Sequence, residues 1–123
     1  MTKEYAAPKP VIWIGASLDD LRAFPEDVQD EMGFAIYQAQ LGGKHVSAKP
    51  LKGFGGAGVL EVVDDHDGST YRTVYTVKLS SAVYVLHAFQ KKAKKGIRTP
   101  HEEIEKVKKR LKKAIEDHKE RYE

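Results

Sequence analysis

The chain contains no cysteine, which excludes disulfides and thiolate metal sites and fits a reducing compartment. No apolar run approaches the ~20 residues of a membrane-spanning helix. The polar opening segment, residues 1–10, lacks the apolar centre of a secretory signal and is expected to be flexible. A cytoplasmic protein is therefore expected. Internal repeats and linkers are also missing, so residues 1–123 read as a single domain with a real but modest core.

A further absence is more informative: residues 91–98 contain no acid. The formal charge of +3 hides this asymmetry, because residues 91–123 carry a net +6 and residues 1–90 a net −3. A one-sided basic patch suggests a polyanionic partner. The segment Tyr84-Val-Leu-His-Ala-Phe-Gln-Lys-Lys-Ala-Lys-Lys95 concentrates it. An apolar strand there ends in His87 and runs into Lys91, Lys92, Lys94 and Lys95, with Arg98 beyond. Unpaired buried charge costs several kcal/mol, so the strand is expected to leave the core and deliver His87 and the lysines to an exposed rim. Imidazole beside fixed cations suits gripping or cleaving a phosphodiester.

Val11-Ile-Trp-Ile14 reads as a short buried strand. Ser17, with Asp20 three residues on, reads as a helix cap, and Pro25 starts a second helix whose apolar face is Val28, Met32, Ile36 and Ala39. Gly42-Gly43 ends it, and residues 44–58 read as a loop carrying Lys49 and Lys52 among glycines. Strands follow at about 59–63, 70–79 and 82–89, joined by short turns. Thr99-Pro-His-Glu102 reads as a capping box opening a last helix, with Ile104, Val107, Leu111, Ala114 and Ile115 as its buried stripe. The order β-α-α-β-β-β-α predicts an α+β domain: a small, mainly antiparallel sheet with an N-terminal helix pair and a C-terminal helix.

Turn lengths predict the register. A two-residue turn at Ser80-Ser81 sets Val74 opposite His87 and Arg72 opposite Phe89. A four-residue turn over residues 65–68 sets Glu61 opposite Arg72. Alternation then puts Glu61, Arg72, Val74, His87 and Phe89 on one face. Ordinary structural readings exist beside these: Glu61–Arg72 as a cross-strand ion pair, His87 as a satisfied core-edge histidine, Trp13 as core. Asp64, Asp65, His66 and Asp67 lack the spaced ligands of a calcium loop and read as a plain hairpin turn.

Several pieces, in order, resemble the RelE/ParE superfamily of bacterial toxins, and within it the phage-derived HigB-like branch. They are Lys49-Pro-Leu-Lys-Gly-Phe-Gly, Leu60-Glu61, Tyr71-Arg72-Thr-Val-Tyr75, Tyr84-Val-Leu-His-Ala-Phe-Gln-Lys-Lys92, Thr99-Pro and Arg110-Leu111. The resemblance implies a toxin of a type II toxin–antitoxin module, held inactive by an antitoxin with a helix-turn-helix DNA-binding domain. It further implies cleavage of messenger RNA, usually on the ribosome, with no metal and no cofactor. By position, Arg72 resembles the central strand arginine, Lys91 and Lys92 the basic residues after the last strand, and His87 the histidine of the HigB-like branch. Lys49 and Lys52 resemble RNA-contacting loop residues, and Lys94, Lys95 and Arg98 extend the basic rim. Many relatives place a tyrosine near the start of the last helix; here His101 or His87 would have to substitute.

The expected chemistry is attack of the 2′-hydroxyl on the adjacent phosphorus. Arg72, His87, Lys91 and Lys92 are the candidate catalytic residues, with Glu61 orienting Arg72. Two other functions remain open at this level: inhibition of DNA gyrase by a ParE-like binding face, and a basic nucleic-acid-binding module without chemistry.

Overall fold

The computed structural model describes residues 7–55, 58–91 and 99–123. Strand β1 (Val11–Trp13) leads into helices α1 (Ser17–Arg22) and α2 (Glu26–Gln40), followed by strands β2 (Ala48–Pro50), β3 (Val59–His66), β4 (Ser69–Thr76) and β5 (Val83–Lys91), and by helix α3 (His101–Tyr122). The strands form one sheet in the order β1-β5-β4-β3-β2, antiparallel except where β1 runs parallel to β5. The fold is α+β, as the element order predicts. The residues expected to be a plain loop contribute β2 instead, an edge strand that tolerates Pro50.

Each sheet face carries its own core. On one, Leu21, Phe24, Val28, Met32 and Ile36 of the helix pair pack on Val62, Tyr71, Tyr75 and Val85, with Trp13 partly buried beside them. On the other, Val107 and Ala114 of α3, flanked by Ile104 and Leu111, cover Val74, Tyr84, Leu86 and Phe89. Val28, Met32, Val107 and Ala114 are fully enclosed, and burying a side chain the size of valine or methionine contributes about 1.5–3 kcal/mol. Among the described residues no helix is long and apolar enough to cross a membrane.

Local chemistry departs from expectation at four points. Ser17 does not cap α1; its hydroxyl donates to the Val85 carbonyl at 3.2 Å and ties the helix to β5. Thr99 does not cap α3 either, because its hydroxyl is engaged elsewhere, and Pro100 takes the capping position. Lys9 and Pro10, expected to be flexible, are held: Lys9 exchanges hydrogen bonds with Gln40, and the Pro10 carbonyl accepts from Val83. The β3–β4 turn spans two residues, Asp67 and Gly68, with φ of 47° and 79°. That pair of positive angles matches the twist of the flanking strands.

The shorter turn moves the register by two residues. Glu61 lies opposite Val74 and Val63 opposite Arg72, rather than Glu61 opposite Arg72. A shift of two preserves the face, so Glu61 remains a diagonal neighbour of Arg72. Between β4 and β5 the expected pairs, Val74 with His87 and Arg72 with Phe89, are present. Beyond them a bulge shifts the ladder, and the connection runs from Thr76 to Val83 rather than through a two-residue turn.

Candidate functional site

Glu61 and Arg72, on adjacent strands of the α3 face, meet at the floor of a cleft of about 690 Å³. One wall is β2 and the turn after it, with Lys49 and Lys52; the other is the start of α3, with Thr99, His101 and Ile104. Arg72 Nη1 donates to Glu61 Oε1 at 3.1 Å and to Thr99 Oγ1 at 3.2 Å, and Thr99 donates to Glu61 Oε2 at 2.6 Å. The pair is largely withdrawn from solvent, with side-chain exposures of 7% for Arg72 and 11% for Glu61. Such a triangle fixes the guanidinium plane before any ligand arrives, and a planar fork suits phosphate oxygens.

The rim differs from the floor. Lys49, Lys52 and His101 are exposed. Lys49 sits opposite Glu61 in the β2–β3 ladder, which sets it over the floor. The α3 amino terminus opens at the same wall and adds the positive end of its dipole. The arrangement is a neutralised, rigid centre under a cationic edge, suited to a phosphodiester entering from solvent.

His87 is not at this rim. It is 3% exposed, enclosed beneath α3. Its Nε2 lies 2.9 Å from Glu103 Oε1, its Nδ1 lies 3.0 Å from Arg110 Nη1, and its ring stacks on Phe89 with centroids 5.0 Å apart. Arginine can only donate, so Nδ1 accepts and the ring proton sits on Nε2, toward Glu103. Burial pushes the imidazole below histidine's ordinary range, outweighing the upward pull of Glu103; Arg110 and Lys106 push it further down. The expectation of an exposed His87 fails because α3 covers that part of β5 and supplies both partners. Arg110 also donates to the Leu86 carbonyl at the bulge, at 3.0 Å. Gly15 makes room for it: a Cβ there would stand 2.9 Å from Arg110 Nε.

Lys91 ends β5 opposite Thr70, on the same face as Phe89 and partly exposed. Lys92, Lys94, Lys95 and Arg98 lie outside the described residues. The cleft thus brings together Lys49, Lys52, Glu61, Arg72 and His101 and excludes His87. Thr99 was hidden from sequence reasoning because it fits a helix cap equally well. The contacts of Glu103 and Arg110 with His87 were hidden because, seven residues apart, the two look like charges on a solvated helix face.

No curated protein matches the chain. A solved structure of the toxin–antitoxin complex RelBE2 from Mycobacterium tuberculosis contains a chain that is 18% identical, with a TM-score of 0.46 over 70% of this chain and 94% of that one. The family model for the phage derived protein Gp49-like (DUF891) matches residues 19–112, from within α1 to the middle of α3. The chain belongs to the Gp49-like family of phage-derived proteins.

Proposed function

We propose that this protein is the toxin of a toxin–antitoxin module, of the HigB-like kind, and that it cleaves messenger RNA in the Arg72 cleft. The observation that carries the reading is the buried Glu61–Arg72–Thr99 triangle beneath the Lys49, Lys52 and His101 rim. Of the motifs that resemble the toxin superfamily, residues 49–53, Glu61, Arg72 and Thr99 line the cleft, whereas His87 and Arg110 lie outside it.

In the proposed reaction the 2′-oxygen bonds to the neighbouring phosphorus as its proton passes to a base. The bond from phosphorus to the 5′-oxygen then breaks, and that oxygen takes a proton from an acid. The products are a 2′,3′-cyclic phosphate and a 5′-hydroxyl. Arg72 holds the phosphate and stabilises the charge gathering on its oxygens, and Lys49 and Lys52 add to that from the rim. His101 is the imidazole in the cleft lining, and an imidazole can both give and take a proton. Glu61 and Thr99 position Arg72. Lys91 ends β5 on the same sheet face, and Lys92, Lys94, Lys95 and Arg98, which follow it in sequence, are proposed to meet the RNA backbone. His87 holds α3 against β5 and takes no part in the chemistry. The antitoxin, expected to carry a helix-turn-helix domain, keeps the protein inactive in the cytoplasm.

The test is three parallel incubations of the full chain: with a defined message on translating ribosomes, with the same message alone, and with gyrase and relaxed plasmid. Message cleavage, stronger on ribosomes, is expected. Loss of supercoiling with intact message would replace the nuclease by a gyrase inhibitor, and tight RNA binding without either would leave only a binding module.

RNA affinity is expected to fall steeply with salt. Each single-strand phosphate contact contributes roughly 0.7 to the slope of log affinity against log salt. Lys49→Ala with Lys52→Ala is therefore expected to flatten that slope by about 1.4. A filter-binding series would show it; an unchanged slope would mean that these lysines do not meet the backbone.

A further inference from the structure

Helix α3 covers the cleft face of the sheet, and its charges are sorted by position. Its first turns carry Glu102, Glu103 and Glu105, and its last turns mix Glu116, Asp117 and Glu120 with Lys119 and Arg121. Residues 106–115 between them contain no acid and six cations. One of these, Arg110, turns inward to the Leu86 carbonyl and His87. The other five, Lys106, Lys108, Lys109, Lys112 and Lys113, are all exposed. At about 100° per residue they fall within an arc of roughly 160°. That arc lies opposite Val107 and Ala114, which are buried in the core.

The acids of α3 have uses within the chain. Glu102 and Glu103 complement the positive end of the helix dipole. Glu103 also holds His87, and Asp117 accepts from Tyr84 and Arg121. The lysines are different. Lys106 and Lys108 meet Glu103 and Glu105 at 3.9 and 3.4 Å, and among the described residues Lys109, Lys112 and Lys113 form no ion pair. Their spacing is repulsive as well. Lys106–Lys109 and Lys109–Lys112 stand three residues apart, and Lys108–Lys112 and Lys109–Lys113 four, where like charges destabilise a helix. The lysine face also lacks apolar anchors: of the large apolar side chains of α3 only Tyr122, at its far end, is exposed.

We propose that this face of α3 grips the phosphate backbone of double-helical RNA, as a second contact beside the Arg72 cleft. A tight protein interface needs apolar or aromatic anchors, and a membrane-surface helix needs an apolar side to insert. This face has neither, because the apolar stripe of α3 is buried against the sheet. Lysines alone suit a partner held by its charge and not by its sequence. Unpaired strands are held by aromatic platforms as well as by charge, and this side presents none. A rigid ridge with cations on both flanks instead meets the two rows of phosphates that border a groove. Lys106 stands about 8 Å along the helix from His101, and Lys113 about 18 Å. A folded RNA gripped there can pass an unpaired strand on to the cleft. The choice of RNA over DNA rests on the nuclease reading, since the cleft chemistry needs a 2′-hydroxyl; the preference for a duplex backbone does not.

The test titrates the full chain by fluorescence anisotropy against three probes of one sequence: an RNA duplex, the unpaired RNA strand and a DNA duplex. The RNA strands are 2′-O-methylated so that they cannot be cut. The variant is Lys109→Gln with Lys112→Gln and Lys113→Gln, which keeps good helix formers at all three positions. Each duplex phosphate contact contributes roughly 0.9 to the slope of log affinity against log salt, so the triple variant is expected to flatten the RNA-duplex slope by about 2.7. That corresponds to about a 40-fold smaller loss of affinity between about 50 and about 200 mM salt. The slope for the unpaired strand is expected not to move. Tm is expected to hold or rise as like charges are removed, a combination with weaker binding that no folding defect produces. An unchanged RNA-duplex slope, or an equal change on the unpaired strand, would overturn the proposal. So would tighter binding of the DNA duplex through the same lysines, which would make DNA the occupant, or capture by anionic vesicles that the triple variant abolishes. Cleavage of an unstructured message by the same preparations separates the two readings. Duplex binding without cleavage removes the nuclease alone, and cleavage with an unchanged duplex slope removes the α3 contact alone.

Discussion

Arg72→Lys is expected to slow RNA cleavage by about 10²–10³-fold while the protein stays folded. Removing one preorganised group aimed at developing charge has an effect of that order. Lysine keeps a cation beside Glu61 but lacks the planar fork, so it tests the geometry of the guanidinium apart from its charge. Arg72→Ala is a poorer probe. It would leave Glu61 buried without its cation, and breaking a buried pair from one side destabilises by about 3–5 kcal/mol. The measurement is single-turnover cleavage of a defined message, with circular dichroism confirming the fold. A folded Arg72→Lys protein that cleaves at the wild-type rate would remove Arg72 from the chemistry.

A second large effect, on stability, is expected at His87. His87→Ala withdraws partners from Glu103 and Arg110 and leaves a gap against Phe89. Stranding buried polar groups costs about 1–3 kcal/mol each way it is counted, and the lost packing adds to it. A loss of about 3 kcal/mol, or about 10 °C in Tm, is expected for a domain of this size. The pH dependence is the diagnostic. The folded state holds His87 below its ordinary range, so below about pH 6.5 the unfolded chain binds more protons and stability falls with acidification. His87→Gln, which cannot titrate, is expected to flatten that part of the Tm profile. A variant profile parallel to the wild type would contradict the buried, neutral assignment. Message cleavage normalised to folded protein is expected to survive, since His87 lies outside the cleft.

Much of this was legible in the residues. The stripes at Val28, Met32 and Ile36 and at Val107, Leu111 and Ala114 follow from helical period alone, and both helices bury them. Glu61, Arg72, Val74, His87 and Phe89 share a face because alternation survives a register error of an even number of residues. The Glu61–Arg72 contact therefore persisted although the turn was two residues shorter than expected. What could not be read is what α3 does to that face. A strand ending in histidine and lysines gives no sign that the following helix will bring Glu103 and Arg110, 16 and 23 positions on, to enclose the imidazole. Thr99 shows the same limit: a hydroxyl beside a helix start satisfies either a cap or a neighbouring carboxylate, and only the tertiary position of Glu61 decides. The β5 bulge left no signal at all, since it inserts Leu86 into an unbroken apolar run.

The central claim is the chemistry of the Arg72 cleft, and the ends of the cut RNA test it most directly. Mass spectrometry of fragments released from a defined message should find a 2′,3′-cyclic phosphate on the upstream piece and a 5′-hydroxyl on the downstream piece, both formed far more slowly with Arg72→Lys. A 3′-hydroxyl with a 5′-phosphate, or the same fragments in undiminished yield from Arg72→Lys, would contradict it.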